Sequence, residues 1–370
     1  MEEISKLTRQ TLARIKPYVP GKPIEEVQRE YGLKDVIKLA SNENPLGPSP
    51  KAQEALALNL GKVNIYPDGS CYHLKEDLAR HVGLDPDNLI IGNGSDEVLK
   101  LLSETFINEG DEAIMADPSF SEYDFCVTLM GGNMVKVPVN EKFALDLEAM
   151  AAAINEKTKL VFVCNPNNPT GAVVSGAELD AFLAKVPENV VVVFDEAYFE
   201  YVDDPGYRSG LDYLKEGRGN VVVLRTFSKI YGLSGLRVGY GMAQPELIRW
   251  ISRTREPFNV NSLAQLGARA ALTDQEFLTK SRHVNNEGKA YLYQEFQARN
   301  LKYVPTNANF IFVDLGVDSK KAFESMLRQG VIIRTGDIFG YPTFIRVTVG
   351  TEAENRRFIA ALDQTLKELR

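Results

Sequence analysis

Cysteine is scarce in this chain. Cys71, Cys126 and Cys164 are the only three, scattered over 370 residues with no Cys-x-x-Cys pair. Neither a disulfide framework nor a metal site is therefore expected. Histidine is equally thin: His73, His81 and His283 all read as helix or surface residues rather than catalytic ones. Apolar runs are too short to cross a bilayer. No secretory signal is visible, so a cytoplasmic location is expected. Positive charge is in deficit, with 42 Lys and Arg against 50 Asp and Glu and a net charge of -8. That balance argues against a general nucleic-acid surface. It leaves room for a local basic pocket, for which Arg225, Arg237, Arg334 and Arg346 are the candidates. Internal repeats and low-complexity tracts are also missing.

A hydrophobic content of 44% is ample for a large core, and 370 residues suit two domains. Met1 to Ile15 reads as a short amphipathic helix within an N-terminal arm. Lys16-Pro17-Tyr18-Val19-Pro20-Gly21-Lys22-Pro23 then breaks it. Strands are expected at Leu89–Ile91, Glu112–Met115, Met134–Val137, Leu160–Val163, Val190–Phe194 and Val221–Leu224, with a helix over Asp96–Ile107. Continuous β-branched runs alternating with helices predict an α/β fold with a mostly parallel central sheet covered on both faces. A second, smaller sheet is expected from Asn309–Val313, Val331–Ile333 and Phe344–Val349, closed by a helix from Glu352. The expected division is an arm over residues 1–35 that packs with the small domain, a large domain over 36–260, and a smaller α+β domain over 261–370.

The chemistry-bearing residues fall just after the apolar runs, where open α/β sheets bind ligands. Lys229 follows Val221–Leu224 in Arg-Thr-Phe-Ser-Lys, and an amine near the end of a buried strand can form a Schiff base because burial lowers its pKa. Asp195 ends another apolar strand, where a lone carboxylate is costly unless it faces a cation. It would hold a protonated ring nitrogen, or else merely cap the next helix. Tyr198 and Asn168 would reach a ring oxygen; their plainer readings are a half-buried tyrosine and a turn residue. Gly92-Asn93-Gly94-Ser95-Asp96 joins a strand to a helix and offers backbone N–H groups to an anion. Thr226, Ser228 and Arg237 add two hydroxyls and a guanidinium. Phe120 would stack on a ring, or simply belong to the core. Together these are the groups pyridoxal 5′-phosphate requires.

The segments Ala40–Gly47, Tyr66–Asp68, Gly92–Glu97, Asn165–Gly171, Asp195–Tyr198, Thr226–Gly241 and Ile345–Gly350 resemble those of the fold-type I aminotransferases, most closely the histidinol-phosphate branch. The resemblance covers nearly the whole chain. It implies a fold-type I architecture in which Lys229 binds the cofactor covalently. It also implies Asp195 on the pyridine nitrogen and Tyr198 and Asn168 on the ring oxygen. Ser95, Asp96, Thr226, Ser228 and Arg237 would hold the phosphate. Tyr66 would reach that phosphate across a homodimer interface, so that each site draws on both subunits. Arg346 and Arg334 would bind the substrate's anion, with Tyr18 and Asn42 closing over it.

The reaction implied is ping-pong transamination of L-histidinol phosphate with 2-oxoglutarate, giving imidazole acetol phosphate and glutamate, with Lys229 moving the Cα proton. Two alternatives share the scaffold: an aromatic amino-acid aminotransferase, and a decarboxylase of a phosphorylated amino acid. A cofactor-sensing regulatory module fits poorly, because the segment before Ser41 is too short for a DNA-binding domain.

Overall fold

Runs of valine, isoleucine and leucine form the centre of the molecule. The structure, a computed structural model, describes residue 4, residues 6–17 and residues 21–370. Its strands are β1 (Ile37–Lys38), β2 (Leu89–Gly92), β3 (Glu112–Asp117), β4 (Asn133–Pro138), β5 (Thr158–Cys164), β6 (Val191–Asp195), β7 (Val221–Thr226) and β8 (Gly239–Ala243), followed by β9 (Lys302–Val304), β10 (Phe310–Asp314), β11 (Val331–Ile332), β12 (Arg334–Thr335) and β13 (Phe344–Thr348). A seven-stranded sheet has the order β2-β8-β7-β6-β5-β3-β4. The neighbours from β7 to β4 are parallel, while β8 runs antiparallel to both β2 and β7. The chain is thus α/β with a mostly parallel central sheet, as its hydrophobic pattern implies.

Alternate residues of the central strands enter two different cores. Val161, Val163, Val192, Phe194, Val221 and Val223 pack on one face, and Leu160, Phe162, Val191, Val193, Val222 and Leu224 on the other. Period-two alternation between two apolar layers is what burial on both faces demands. A four-stranded antiparallel sheet, β12-β13-β10-β9, carries a third core with the helices Gln275–Ala298 and Glu352–Leu369. The latter helix starts on a capping box, with Thr351 and Glu354 satisfying each other's backbone N–H groups.

Three observations depart from the sequence-based expectations. First, β8 was not foreseen. Gly-Tyr-Gly-Met-Ala lacks a β-branched run, yet its backbone bridges β2 and β7. Second, Val331–Ile333 does not extend the small sheet as one strand. β11 pairs in parallel with β1, because Ile37 N–H and Leu39 N–H donate to the carbonyls of Gly330 and Ile332 at 2.9 and 2.8 Å. Third, the expected N-terminal helix through Ile15 is reduced, in its described part, to a 3-10 helix at Gln10–Arg14. That segment buries no residue, and Leu7 and Leu12 stand exposed, so no apolar face rewards a longer helix.

The N-terminal segment touches both halves of the molecule. The 3-10 helix sits on the helix Glu122–Leu129, where Arg9 donates to the Leu129 carbonyl at 2.6 Å. The helix Ile24–Tyr31 buries Val27 against Leu327 and Ile332. Among the described residues, no helix is long and apolar enough to cross a membrane, and no cluster of three or more His, Cys, Asp or Glu could hold a metal ion.

Candidate active site

The carboxyl ends of β5, β6 and β7 open onto one cavity of about 960 Å³. Lys229, just past β7, faces it. Its Nζ lies 5.5 Å from the Tyr198 ring centre and donates to the Ser41 carbonyl at 3.4 Å. Burial, with the like charge of Arg346 added, pulls its pKa down to about 8. A sizeable neutral fraction near neutrality makes this amine a usable nucleophile and base.

Asp195 ends β6 on the cavity floor and is almost fully buried. Burial raises its pKa to about 6, against the pull of two donors. Those donors are the Tyr123 hydroxyl, at 2.7 Å from Oδ2, and the Ala197 N–H, at 3.1 Å from Oδ1. A carboxylate desolvated to this degree gains by facing a cation. The alternative role as a cap of the next helix is not taken: the 3-10 helix Phe199–Tyr201 has Tyr198 at its N-cap, and the Ala197 contact is a local turn bond to one oxygen only.

Tyr198, one turn beyond Asp195, accepts a hydrogen bond from Asn42 Nδ2 at 2.9 Å. Burial pushes its phenol upward. Asn42 is itself fixed, since Thr348 Oγ1 accepts from its backbone N–H at 3.0 Å and Asn309 Nδ2 donates to its carbonyl at 3.1 Å. It holds a left-handed φ of 56°, which asparagine tolerates better than most residues.

The anion cup is built from the N-terminus of the helix Ser95–Phe106 and the loop after β7. Arg237 is held in a left-handed φ of 55° and donates to Asp96 Oδ2 at 3.0 Å. Thr226 Oγ1 donates to Ser228 Oγ at 3.0 Å. Glycine makes the close approach possible. A Cβ on Gly239 would stand 2.4 Å from the Ser95 backbone nitrogen, and one on Gly94 would stand 2.7 Å from Arg237 Nη2. Free N–H groups at a helix start, a guanidinium and two hydroxyls suit a phosphate.

Opposite the cup, Arg334 and Arg346 face each other across the β12–β13 pairing. Arg346 is buried, with Nη1 donating to Asn168 Oδ1 at 2.5 Å and Nη2 to the Ala40 carbonyl at 2.7 Å. Both arginines line the cavity, as does Phe120, whose ring meets Tyr123 edge-on at 5.6 Å.

The structure therefore brings Lys229, Asp195, Tyr198, Asn168, Ser95, Asp96, Phe120, Thr226, Ser228, Arg237, Asn42, Arg334 and Arg346 around one cavity. Tyr66 is not among them. It is 80% exposed and stacks on Phe258 at 4.9 Å. Tyr18 lies outside the described residues. Arg225 was expected as part of a basic pocket, but it is buried elsewhere in a pair with Glu196 at 2.8 Å, and its guanidinium lies 3.5 Å from the Phe199 ring centre. A charge so desolvated needs a fixed partner, and Glu196, the residue after Asp195, supplies it. Tyr123, which holds Asp195, was missed. Nothing in the sequence marks it beyond its place three residues after Phe120.

The donor set suits a ring bearing an aldehyde, a basic nitrogen and a phosphate. The aldehyde would meet the amine of Lys229, the nitrogen the buried carboxylate of Asp195, and the phosphate the glycine-lined cup. The chain belongs to the aminotransferase class I and II family, whose sequence model matches residues 34–362. It is 62% identical over 358 residues to the histidinol-phosphate aminotransferase of Moorella thermoacetica, covering 97% of this chain and 92% of that one. A histidinol-phosphate aminotransferase of Brevibacillus brevis is 49% identical over 94% of this chain and 95% of its own length. Among solved structures, histidinol-phosphate aminotransferase from Sinorhizobium meliloti in complex with pyridoxal 5′-phosphate superposes with a TM-score of 0.89 at 28% identity, covering 97% of this chain and 98% of that one. Aspartate aminotransferase from Thermus thermophilus superposes with a TM-score of 0.83 at 25% identity, over 98% and 99%.

Proposed function

We propose that this chain transaminates L-histidinol phosphate with 2-oxoglutarate, using pyridoxal 5′-phosphate, as a step of histidine biosynthesis. The observation that carries the reading is the amine of Lys229, with a pKa near 8, sharing one cavity with the buried carboxylate of Asp195. When bound, the cofactor supplies an electron-withdrawing ring that lowers the barrier to breaking a Cα–H bond.

The chain's own residues do the rest. Asp195 keeps a proton on the ring nitrogen set against it. Tyr198 and Asn168 hold the ring oxygen, and Phe120 covers a ring face. The amides of Ser95 and Asp96, with Thr226, Ser228 and Arg237, hold the phosphate. With its amine free, Lys229 Nζ would be the base that takes the α-proton and the acid that returns it. Arg346 and Arg334 orient the substrate's anion, with Asn42 bracing Tyr198 beside it. Two guanidiniums also suit the dicarboxylate that must enter the same site in the second half of the cycle.

The protein acts in the cytoplasm as a homodimer. Tyr66, exposed in the single chain, completes the phosphate cup of the neighbouring subunit. Leu58, Leu60, Val63 and Ile65 are exposed beside it, and an apolar run of that kind on a single subunit supports such a contact.

The test is a half-reaction monitored by absorbance. Addition of histidinol phosphate should convert the cofactor to its amino form, and 2-oxoglutarate should reverse the change. Lys229→Ala should retain cofactor and lose turnover. A higher kcat/KM for phenylalanine than for histidinol phosphate would replace the substrate assignment, and release of carbon dioxide would replace the reaction type.

A further inference from the structure

We propose that Lys16 is a specificity-determining residue: its ammonium, on the cavity lining, distinguishes a phosphate ester from the same amine without its phosphate. The inference rests on the transaminase reading above and adds a residue on the N-terminal segment to the site.

Described residues on either side of Lys16 in the chain are fixed by contacts. On one side Arg14 donates to the Gly132 carbonyl at 3.3 Å and to Asn133 Oδ1 at 3.0 Å. On the other side Gly21 lies against Ala40 and Ser41, where a Cβ would stand 3.7 and 3.8 Å away. The carbonyl of that same Ala40 accepts from Arg346 Nη2. Arg14 thus lies by the end of the helix Glu122–Leu129, and Gly21 by the residue that the substrate-side arginine holds. Lys16 and Pro17 line the cavity between these two anchorages.

The other cations of the cavity are already engaged. Arg237 donates to Asp96 and to the Ser234 carbonyl, and Arg346 donates to Asn168 and Ala40. Lys16 makes no hydrogen bond or ion pair among the described residues. Three cavity carboxylates, Glu43, Asp124 and Asp337, have cations of their own in Lys38, Lys136 and Lys320, at 2.8, 2.7 and 3.1 Å. Asp117 and Glu122 also line the cavity, and among the described residues no ion pair joins any of these carboxylates to Lys16, which remains a cation on a flexible stem.

A phosphate monoester near neutral pH carries close to two negative charges and three acceptor oxygens. Arg346 and Arg334 both line the cavity and face that charge. A further cation lining the same cavity adds attraction for the ester and none for a neutral hydroxymethyl group. Lys16 is exposed, so its contribution is screened by salt and falls on capture of the substrate rather than on the proton transfer.

The experiment compares kcat/KM for L-histidinol phosphate and L-histidinol across ionic strength, in the wild type, Lys16→Met and Lys16→Arg holoenzymes. Lys16→Met should lower kcat/KM for the phosphorylated amine by about fivefold, the weight of one exposed charge pair, through KM. It should also flatten the salt dependence and leave L-histidinol unchanged. Lys16→Arg should restore the phosphate preference. Equal losses on both amines, or no loss on either, would overturn the assignment of Lys16 alone. A wild type that showed no preference for the phosphorylated amine would overturn the functional reading as well.

Discussion

Asp195 and Lys229 are both pushed by burial toward their neutral forms, and each leaves a pH signature in the cofactor-free protein. Asp195 has its pKa raised from 3.8 to about 6. Between those values the unfolded chain has lost the proton and the folded chain has kept it, so stability falls as pH rises through this window. The loss is on the order of 3 kcal/mol for a shift of that size. Asp195→Asn has no such group to titrate. Denaturant unfolding at pH 4 and pH 8 should show the wild type losing stability relative to this variant, and parallel behaviour of the two would contradict the burial argument. Lys229 has the opposite sign. Its pKa falls from 10.5 to about 8, so the unfolded chain alone holds the proton in between and stability rises with pH there. Amine-directed labelling of Lys229 in the cofactor-free protein should rise with a midpoint near pH 8, as the neutral amine forms. An ordinary lysine profile would remove its claim to be the nucleophile. These two residues were legible in the sequence because each ends or follows an apolar run. Tyr123 was not, since its bond to Asp195 joins positions 72 residues apart.

At the scale of elements, the anion cup depends on how closely β8 approaches the helix Ser95–Phe106. Gly239 faces Gly92 on one neighbouring strand and Thr226 on the other. A methyl group there would meet the Ser95 nitrogen at 2.4 Å and the Gly94 carbonyl carbon at 2.8 Å. Both are backbone atoms, so the helix start must shift. Gly239→Ala should lower stability by roughly 1–3 kcal/mol, the usual range for overpacking, and should weaken cofactor retention. Gly235→Ala meets nothing within 4 Å and serves as the control. Loss of stability without loss of cofactor, measured by equilibrium dialysis, would separate β8 from the cup. The glycines that make this approach possible also hide β8 from sequence reading, because a strand is recognised by its β-branched residues. Val331–Ile333 shows the reverse case. Its hydrophobic pattern declares a strand without declaring a partner, and the backbone of Ile37–Leu39 decides the pairing.

For the whole molecule, Tyr66 is the residue expected to act across the dimer. Stacked on Phe258 and not among the cavity-lining residues, it has no part in its own subunit's site. If each site draws on both subunits, mixing the Lys229→Ala and Tyr66→Ala proteins under subunit exchange should regain activity that neither shows alone. In the mixed dimer one site keeps both Lys229 and the neighbour's Tyr66. Absence of recovery, with exchange shown by mass, would confine the site to one chain. The arm belongs to this scale too. Residues 10–14 lie against the helix Glu122–Leu129, and residues 24–31 pack on Leu327 and Ile332. Lys16 and Pro17, which fall between them in the chain, line the cavity.

The α/β class, the mostly parallel sheet and the placing of Lys229, Asp195 and Asn168 after apolar runs were determined by the sequence alone. Local hydrophobic runs and the residues that punctuate them carry that information. Three further outcomes were decided by tertiary structure: that Arg225 belongs to Glu196 rather than to the cavity, that Tyr123 holds Asp195, and that Arg334 faces Arg346. Each is a pairing between side chains far apart in the chain, or a choice between burial and exposure for a charge. Such choices depend on desolvation, which only the folded surroundings set.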